Sequence, residues 1–207
     1  KLSKAPARMR FSSARLLMCT NLAYEEEFWE ELIDGKAVLM SPRPATNHNQ
    51  TAFNIASLFK NFLKGKPCQV FPDGTDLYLT DKDRFIPDVM VICDRSKVRD
   101  DGIHGAPDLV VEVLSPSSIK RDRVYKKRVY EQCGVREYWI VNPMDKSVEV
   151  YLLENGVYHL DEAYCLAPDY WLNKLNDEER AELKTEIVPS IFSGLTVALE
   201  DVFENVP

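Results

Sequence analysis

The sequence predicts an α/β layer fold built on a mixed β-sheet. Three observations carry that expectation: a helix-period apolar face over 46–64, two short strand-type apolar runs at 86–93 and 108–114, and a basic helix at 119–132 followed by a buried-type strand at 137–141. The resulting central order is helix, about three strands, helix, strand, a layered α/β arrangement.

Taken in order, residues 24–33 set Phe28, Trp29, Leu32 and Ile33 at helical spacing before Asp34-Gly35, which predicts a short amphipathic helix. Residues 36–41 read as a strand stopped by Pro42 and Pro44. Ile55, Leu58, Phe59, Phe62 and Leu63 line one face of a longer helix that Gly65 and Pro67 close. Residues 69–79 hold one or two strands interrupted by the turn signal Pro72-Asp-Gly74. After the two apolar runs, Ser115-Pro-Ser-Ser118 starts the basic helix, which Gly134 ends, and 137–141 is the next strand. Residues 147–153 and 157–160 predict a hairpin around Glu154-Asn-Gly156, and 172–187 a charged helical insert. Residues 1–23 form a basic lead-in, and 24–207 read as a single domain.

No apolar stretch approaches the ~20 residues of a membrane span, and a net charge of -7 argues against coating nucleic acid by bulk electrostatics. It leaves room for a local basic site, and Lys120–Arg128 is the densest cationic cluster. The five cysteines are scattered with no Cys-x-x-Cys pair, which reads as reduced thiols and a cytoplasmic location.

The functional clue is Glu112, in the middle of Asp108-Leu-Val-Val-Glu-Val-Leu114. A lone ionised carboxylate in a dry strand costs several kcal/mol, roughly what one domain can spare, so a cation must compensate it. Asp88 opens the neighbouring run after Pro87. If the strands pair, Asp88 and Glu112 converge on one divalent ion, and hard oxygen ligands favour Mg²⁺ or Mn²⁺ over zinc. Asp108, Val110, Glu112 and Leu114 share a strand face, while Asp122, Lys126 and Tyr130 share a helix face that leans Lys126 over the carboxylates.

Each residue has a plainer reading. Asp88 could cap a turn, Glu112 could pair with Arg121 or Lys126 for structure alone, Glu31 and Lys126 could be solvated helix positions, and His48 a helix N-terminal residue. Tyr138 and Trp139 read as core. A serine hydrolase is excluded by the lack of a Gly-x-Ser-x-Gly elbow.

Pro87-Asp88, Glu112 and a lysine in this element order resemble the PD-(D/E)XK nuclease superfamily, with its restriction-endonuclease-like fold. More narrowly, Glu31-Leu-Ile-Asp-Gly35, Met40-Ser-Pro42, His48, Pro87-Asp88, Gly105–Pro116, Asp122, Lys126, Tyr130, Gly134 and Glu137-Tyr-Trp139 resemble the Uma-two group, abundant in bacteria, over about 24–160. The resemblance implies a homodimeric Mg²⁺-dependent endonuclease acting on DNA, in which Asp88 and Glu112 hold the metal and Lys126 acts beside it. Glu31, His48, Asp108, Asp122 and Tyr130 are the supporting residues. The superfamily's usual lysine position, two residues after the acid, is Leu114 here, so the lysine comes from the helix, with Lys120 as the alternative to Lys126. That departure also admits a second expectation, a nuclease-fold nucleic-acid-binding module without turnover.

Overall fold

The computed structural model describes residues 29–40 and 44–207. The chain runs through β1 (Glu30–Ile33), β2 (Lys36–Leu39), α1 (Thr46–Phe62), β3 (Gln69–Pro72), β4 (Leu77–Thr80), β5 (Asp83–Phe85), β6 (Val89–Ile92), β7 (Val98–Arg99), β8 (Gly102–His104) and β9 (Leu109–Val113). A π-helical turn (Arg121–Lys126) continues as α2 (Lys127–Cys133). There follow β10 (Glu137–Asn142), β11 (Ser147–Glu154), β12 (Val157–Cys165), α3 (Asp169–Leu172), α4 (Asp177–Glu182), β13 (Glu186–Ile187), β14 (Val197–Ala198) and α5 (Leu199–Val202).

The central sheet has the order β12-β11-β10-β9-β6-β3, with β9 and β10 parallel and the other pairs antiparallel. A parallel pair needs a crossover, and the helix between β9 and β10 supplies it. The expected hairpin is β11–β12, and it extends this sheet. A second sheet, β2-β1-β5-β4-β8-β7, is also mixed.

Strand alternation divides the core. Val89, Val91, Leu109, Val111 and Trp139 face Ile55 and Phe59 of α1 and the C-terminal Val202 and Phe203. Met90, Ile92, Val110, Leu114 and Tyr138 face Leu77, Phe85 and Ile103 of the second sheet and Tyr130 of α2. Glu112 therefore points, with Val110 and Leu114, into the second of these layers. Gly134, at φ 85°, ends α2 in the left-handed conformation expected of a helix-terminating glycine. Glu137 is buried and ties the C-terminal segment to the sheet, accepting from Trp139 Nε1 at 2.6 Å and from Ser190 Oγ at 2.6 Å.

Three sequence expectations are corrected. Residues 30–33 form a strand rather than the end of a helix, because Asp34 (φ 50°) and Gly35 (φ 75°) make the two-residue turn that folds β1 onto β2; residues 24–28 lie outside the described residues. The insert is not continuous helix: Asn176 caps a fresh start by a capping box with Glu179, and Ile187 pairs with Val197. The cysteines are not all reduced, since Cys68 and Cys93, one step beyond the register pair Gln69↔Ile92, form a disulfide. Cys133 and Cys165 are free thiols, and Cys19 lies outside the described residues. No described helix is long and apolar enough to cross a membrane.

Candidate active site

Pairing of β6 with β9 in the register Val89↔Val111, continued by one residue, sets Asp88 opposite Glu112. The Asp88 side chain is fixed there: Oδ2 accepts the Val113 N–H at 2.6 Å. His48, in the first turn of α1, brings Nε2 to 3.4 Å from the same oxygen.

Glu112 is held from the helix. Lys126 Nζ lies 2.9 Å and the Tyr130 hydroxyl 2.6 Å from Glu112 Oε1, so both bonds fall on one oxygen and Oε2 stays outside them. Lys126 also bonds Glu31 Oε1 at 2.8 Å, and that oxygen accepts the Ile86 N–H at 3.0 Å. The π-helical turn sets this geometry. The Asp122 carbonyl accepts from the Lys127 N–H, five residues on, and from the buried Tyr138 hydroxyl at 3.1 Å, which turns Asp122 and Lys126 inward together.

Asp88, Glu112, His48, Asp122 and Lys126 line a cleft of about 220 Å³ with Pro44, Asp73, Ser115, Ser117 and Arg121. Glu31, Asp73, Asp88, Glu112 and Asp122 outnumber the permanent cations Lys126 and Arg121. Burial pushes the Glu112, Asp122 and Asp73 carboxyls up, with Lys126 opposing this at Glu112 and Asp122 and the Asp88 charge reinforcing it at Asp73. Burial would lower Lys126 and His48, yet Glu112 and Glu31 hold the first, and Asp88 the second, above their ordinary values. Burial thus sets the direction at the acids, and the neighbouring carboxylates set it at the bases. Two buried carboxylate oxygens, Glu31 Oε2 and Asp122 Oδ1, have no hydrogen-bond partner among the described residues.

The oxygen donors on Asp88 and Glu112 suit a hard divalent cation, and the unmatched negative charge gives one a reason to bind. Among the described residues no three His, Cys, Asp or Glu side chains converge as a ready cage.

Of the residues singled out in the sequence, Asp88, Glu112, Lys126, His48 and Asp122 line this one cleft, and Glu31 and Tyr130 brace it from behind. Lys120 is exposed and outside it. Asp108 sits at the other end of its strand, accepting the Cys93 N–H at 2.6 Å and pairing with Arg136. The basic cluster is dispersed: Arg123 pairs with Glu149 at 2.6 Å, and Lys127 lies over the Tyr151 ring. Asp73 escaped the sequence reading, visible there only as the middle of a turn signal. Arg121, weighed there as a structural partner for Glu112, instead lies 3.6 Å from Glu31 Oε2 and 3.8 Å from Asp122 Oδ1.

A mixed sheet flanked by helices, with paired carboxylates and a lysine at one sheet end, defines a restriction-endonuclease-like fold. The chain belongs to the Uma2 family, described as "Putative restriction endonuclease", whose model matches residues 18–187. It is 30% identical over 134 residues to the "Uncharacterized protein slr1290" of Synechocystis sp., covering 63% of this chain and 70% of that protein. The fold is similar to that of a crystal structure described as a putative nuclease belonging to DUF820 from Anabaena variabilis, with a TM-score of 0.63, 21% identity, and coverage of 84% of this chain and 89% of the other.

Proposed function

We propose that this chain is a magnesium-dependent endonuclease that hydrolyses DNA phosphodiester bonds, with Asp88 and Glu112 as the residues that would hold the ion. The observation that carries this reading is the side-by-side placement of Asp88 and Glu112 in a cleft short of positive charge, with Glu112 Oε2 left outside the Lys126 and Tyr130 bonds. When bound, Mg²⁺, or Mn²⁺ in its place, supplies positive charge against the phosphoryl oxygens and makes water a better nucleophile.

The protein groups divide the remaining work. Lys126 and Tyr130 lock the Glu112 carboxylate, and the Lys126 ammonium, kept protonated by its carboxylate neighbours, adds fixed positive charge beside the phosphate. His48, on the cleft wall with Nε2 3.4 Å from Asp88 Oδ2, is the imidazole that would bond a phosphate oxygen or the attacking water. Arg121 sits on the cleft wall to neutralise the departing strand. The reading includes a homodimer assembled through the hairpin β11–β12, whose Val157 and Leu160 are exposed; a sedimentation mass near the single-chain 23.8 kDa would sink that part. The reading keeps the protein in the cytoplasm on the ground of its DNA substrate, since the Cys68–Cys93 disulfide removes the reduced-cysteine argument for that location.

The test is cleavage of supercoiled plasmid and of single-stranded and branched DNA with magnesium, manganese or EDTA. Wild type is compared with Asp88→Asn, Glu112→Gln and Lys126→Arg, each checked for folding by thermal melting. Metal-dependent cutting that is lost in the Asp88 and Glu112 variants is the expected result. No cutting on any substrate, together with no magnesium binding by calorimetry, would leave the nuclease-fold binding module without turnover as the better account.

A further inference from the structure

We propose that the surface beside Trp29 is a stacking site for one unpaired nucleobase of the DNA strand whose backbone lies in the active-site cleft. The proposal rests on the nuclease reading above and assigns that enzyme a preference for locally single-stranded DNA.

Trp29 precedes β1, and its backbone is pinned to the hairpin by the Met40 N–H, which donates to the Trp29 carbonyl at 2.8 Å. Trp29 is 49% exposed as a residue, unlike the fully buried Trp139. Gly74 makes room for it: a Cβ there would lie 2.9 Å from Trp29 Cη2, and the φ of +94° is one that L side chains rarely adopt. Beside the ring opens a second cleft, of about 380 Å³, lined by Trp29, Glu30, Gly74, Asp76, Arg84 and Ile86.

Ile86 lines both clefts, and Asp73, next to Gly74, lines the active-site one. The clefts therefore share a wall, and a strand lying across Asp88 and Glu112 can turn one base into the second cleft. Arg84 lies there between Glu30 and Asp76, 3.5 Å from a carboxylate oxygen of each, and its buried Nε has no hydrogen-bond partner among the described residues.

The chemistry suits a base rather than a phosphate. Glu30 and Asp76 repel an anion, but they accept from the N–H groups of a base edge, while Arg84 donates to a ring nitrogen or carbonyl. An indole face offers stacking to any base. In a duplex the pairing edge is taken and both faces are stacked on neighbouring bases, so a site that needs a free face selects unpaired nucleotides.

The test uses the full chain. In EDTA, a single-stranded oligonucleotide should quench tryptophan fluorescence in the wild type and in Trp171→Ala but not in Trp29→Ala, and the matching duplex should not quench. In magnesium, Trp29→Ala should lower kcat/KM on single-stranded DNA by about 5- to 150-fold, the range of one lost stacking contact. Duplex cleavage should be unchanged, and Trp29→Phe should recover most of the loss. Quenching that survives in Trp29→Ala, or equal losses on single strand and duplex, would overturn the site. Trp29-dependent quenching without any cleavage would keep the site and remove the nuclease reading; cleavage without Trp29-dependent quenching would do the reverse.

Discussion

The ammonium of Lys126 lies 2.9 Å from Oε1 of Glu112, and both side chains are almost wholly removed from solvent. The two residues come from different elements, a π-helical turn and a central strand, and each makes the other's burial tolerable. Removing one partner of a buried pair leaves an uncompensated charge, which typically costs ~3–5 kcal/mol. Lys126→Ala should lose about that much stability in denaturant unfolding, because Glu31 is stranded with Glu112. A loss below ~1 kcal/mol would mean that the carboxylates are not charged and paired as described.

Tyr130 donates its hydroxyl to the same Glu112 oxygen at 2.6 Å in a fully buried setting. Tyr130→Phe keeps the ring packing and removes only that bond, so a loss of ~1.5–3 kcal/mol is expected. The Tyr130→Phe, Glu112→Gln double-mutant cycle should show coupling between the two; additive losses would rule it out.

Glycine substitutions test the two turns differently. At Gly35 an added Cβ meets nothing within 4 Å, so Gly35→Ala should cost only the left-handed backbone penalty of ~1–2 kcal/mol. At Gly102, with φ +139°, the Cβ would lie 2.5 Å from the Asp76 carbonyl oxygen, so Gly102→Ala should cost more, about 2–4 kcal/mol. Equal midpoint shifts in thermal melting would refute the contrast.

Burial pushes the Tyr125 and Tyr151 hydroxyls up to about 12, with Asp83 and Glu149 adding to the shift, and raises Tyr138 and Tyr158 further. In the unfolded chain these phenols ionise near pH 10. A raised acid holds its proton longer in the native state, so stability is intact below about pH 10 and falls as the pH rises from there through the native values. Phenolate absorbance should therefore show a class of tyrosines that titrates only as the protein unfolds; full ionisation of the native protein near pH 10 would contradict this.

Joining Cys68 to Cys93, which are 25 residues apart in sequence, ties β3 to the strand that follows Asp88. Reduction, or the Cys68→Ser, Cys93→Ser pair, should lower stability by ~2–4 kcal/mol. No difference between oxidised and reduced protein in denaturant would show that the bond does not constrain the chain.

Asp88, Glu112 and Lys126 were legible because each stands out from its immediate neighbours. A carboxylate inside an apolar run, or a lysine in register with Asp122 and Tyr130 on a helix, is a local conflict that spacing alone exposes. Glu31 was singled out but put on the wrong element. Phe28, Trp29, Leu32 and Ile33 match a helical period, and only the pairing of Leu32 with Ala37 and Arg84 makes their segment a strand. The Asp34-Gly35 dipeptide was the signal available for that hairpin. Asp73 carried no such conflict, since an aspartate in a turn is ordinary until His48 and Asp88 are folded against it.

Local patterning was thus enough to settle the α/β class, the long helix, the two central strands and the carboxylate pair, because side-chain periodicity and the cost of burying a lone charge are properties of short segments. The folded chain alone decided which cation neutralises Glu112, that Glu31 reaches it from a hairpin, that Asp108 points away from the cleft, and that Trp29 stands beside it. Those outcomes depend on strand register and on contacts between residues as distant in sequence as Glu31 and Lys126, and such contacts are set by the packing of whole elements rather than by the spacing within any one of them.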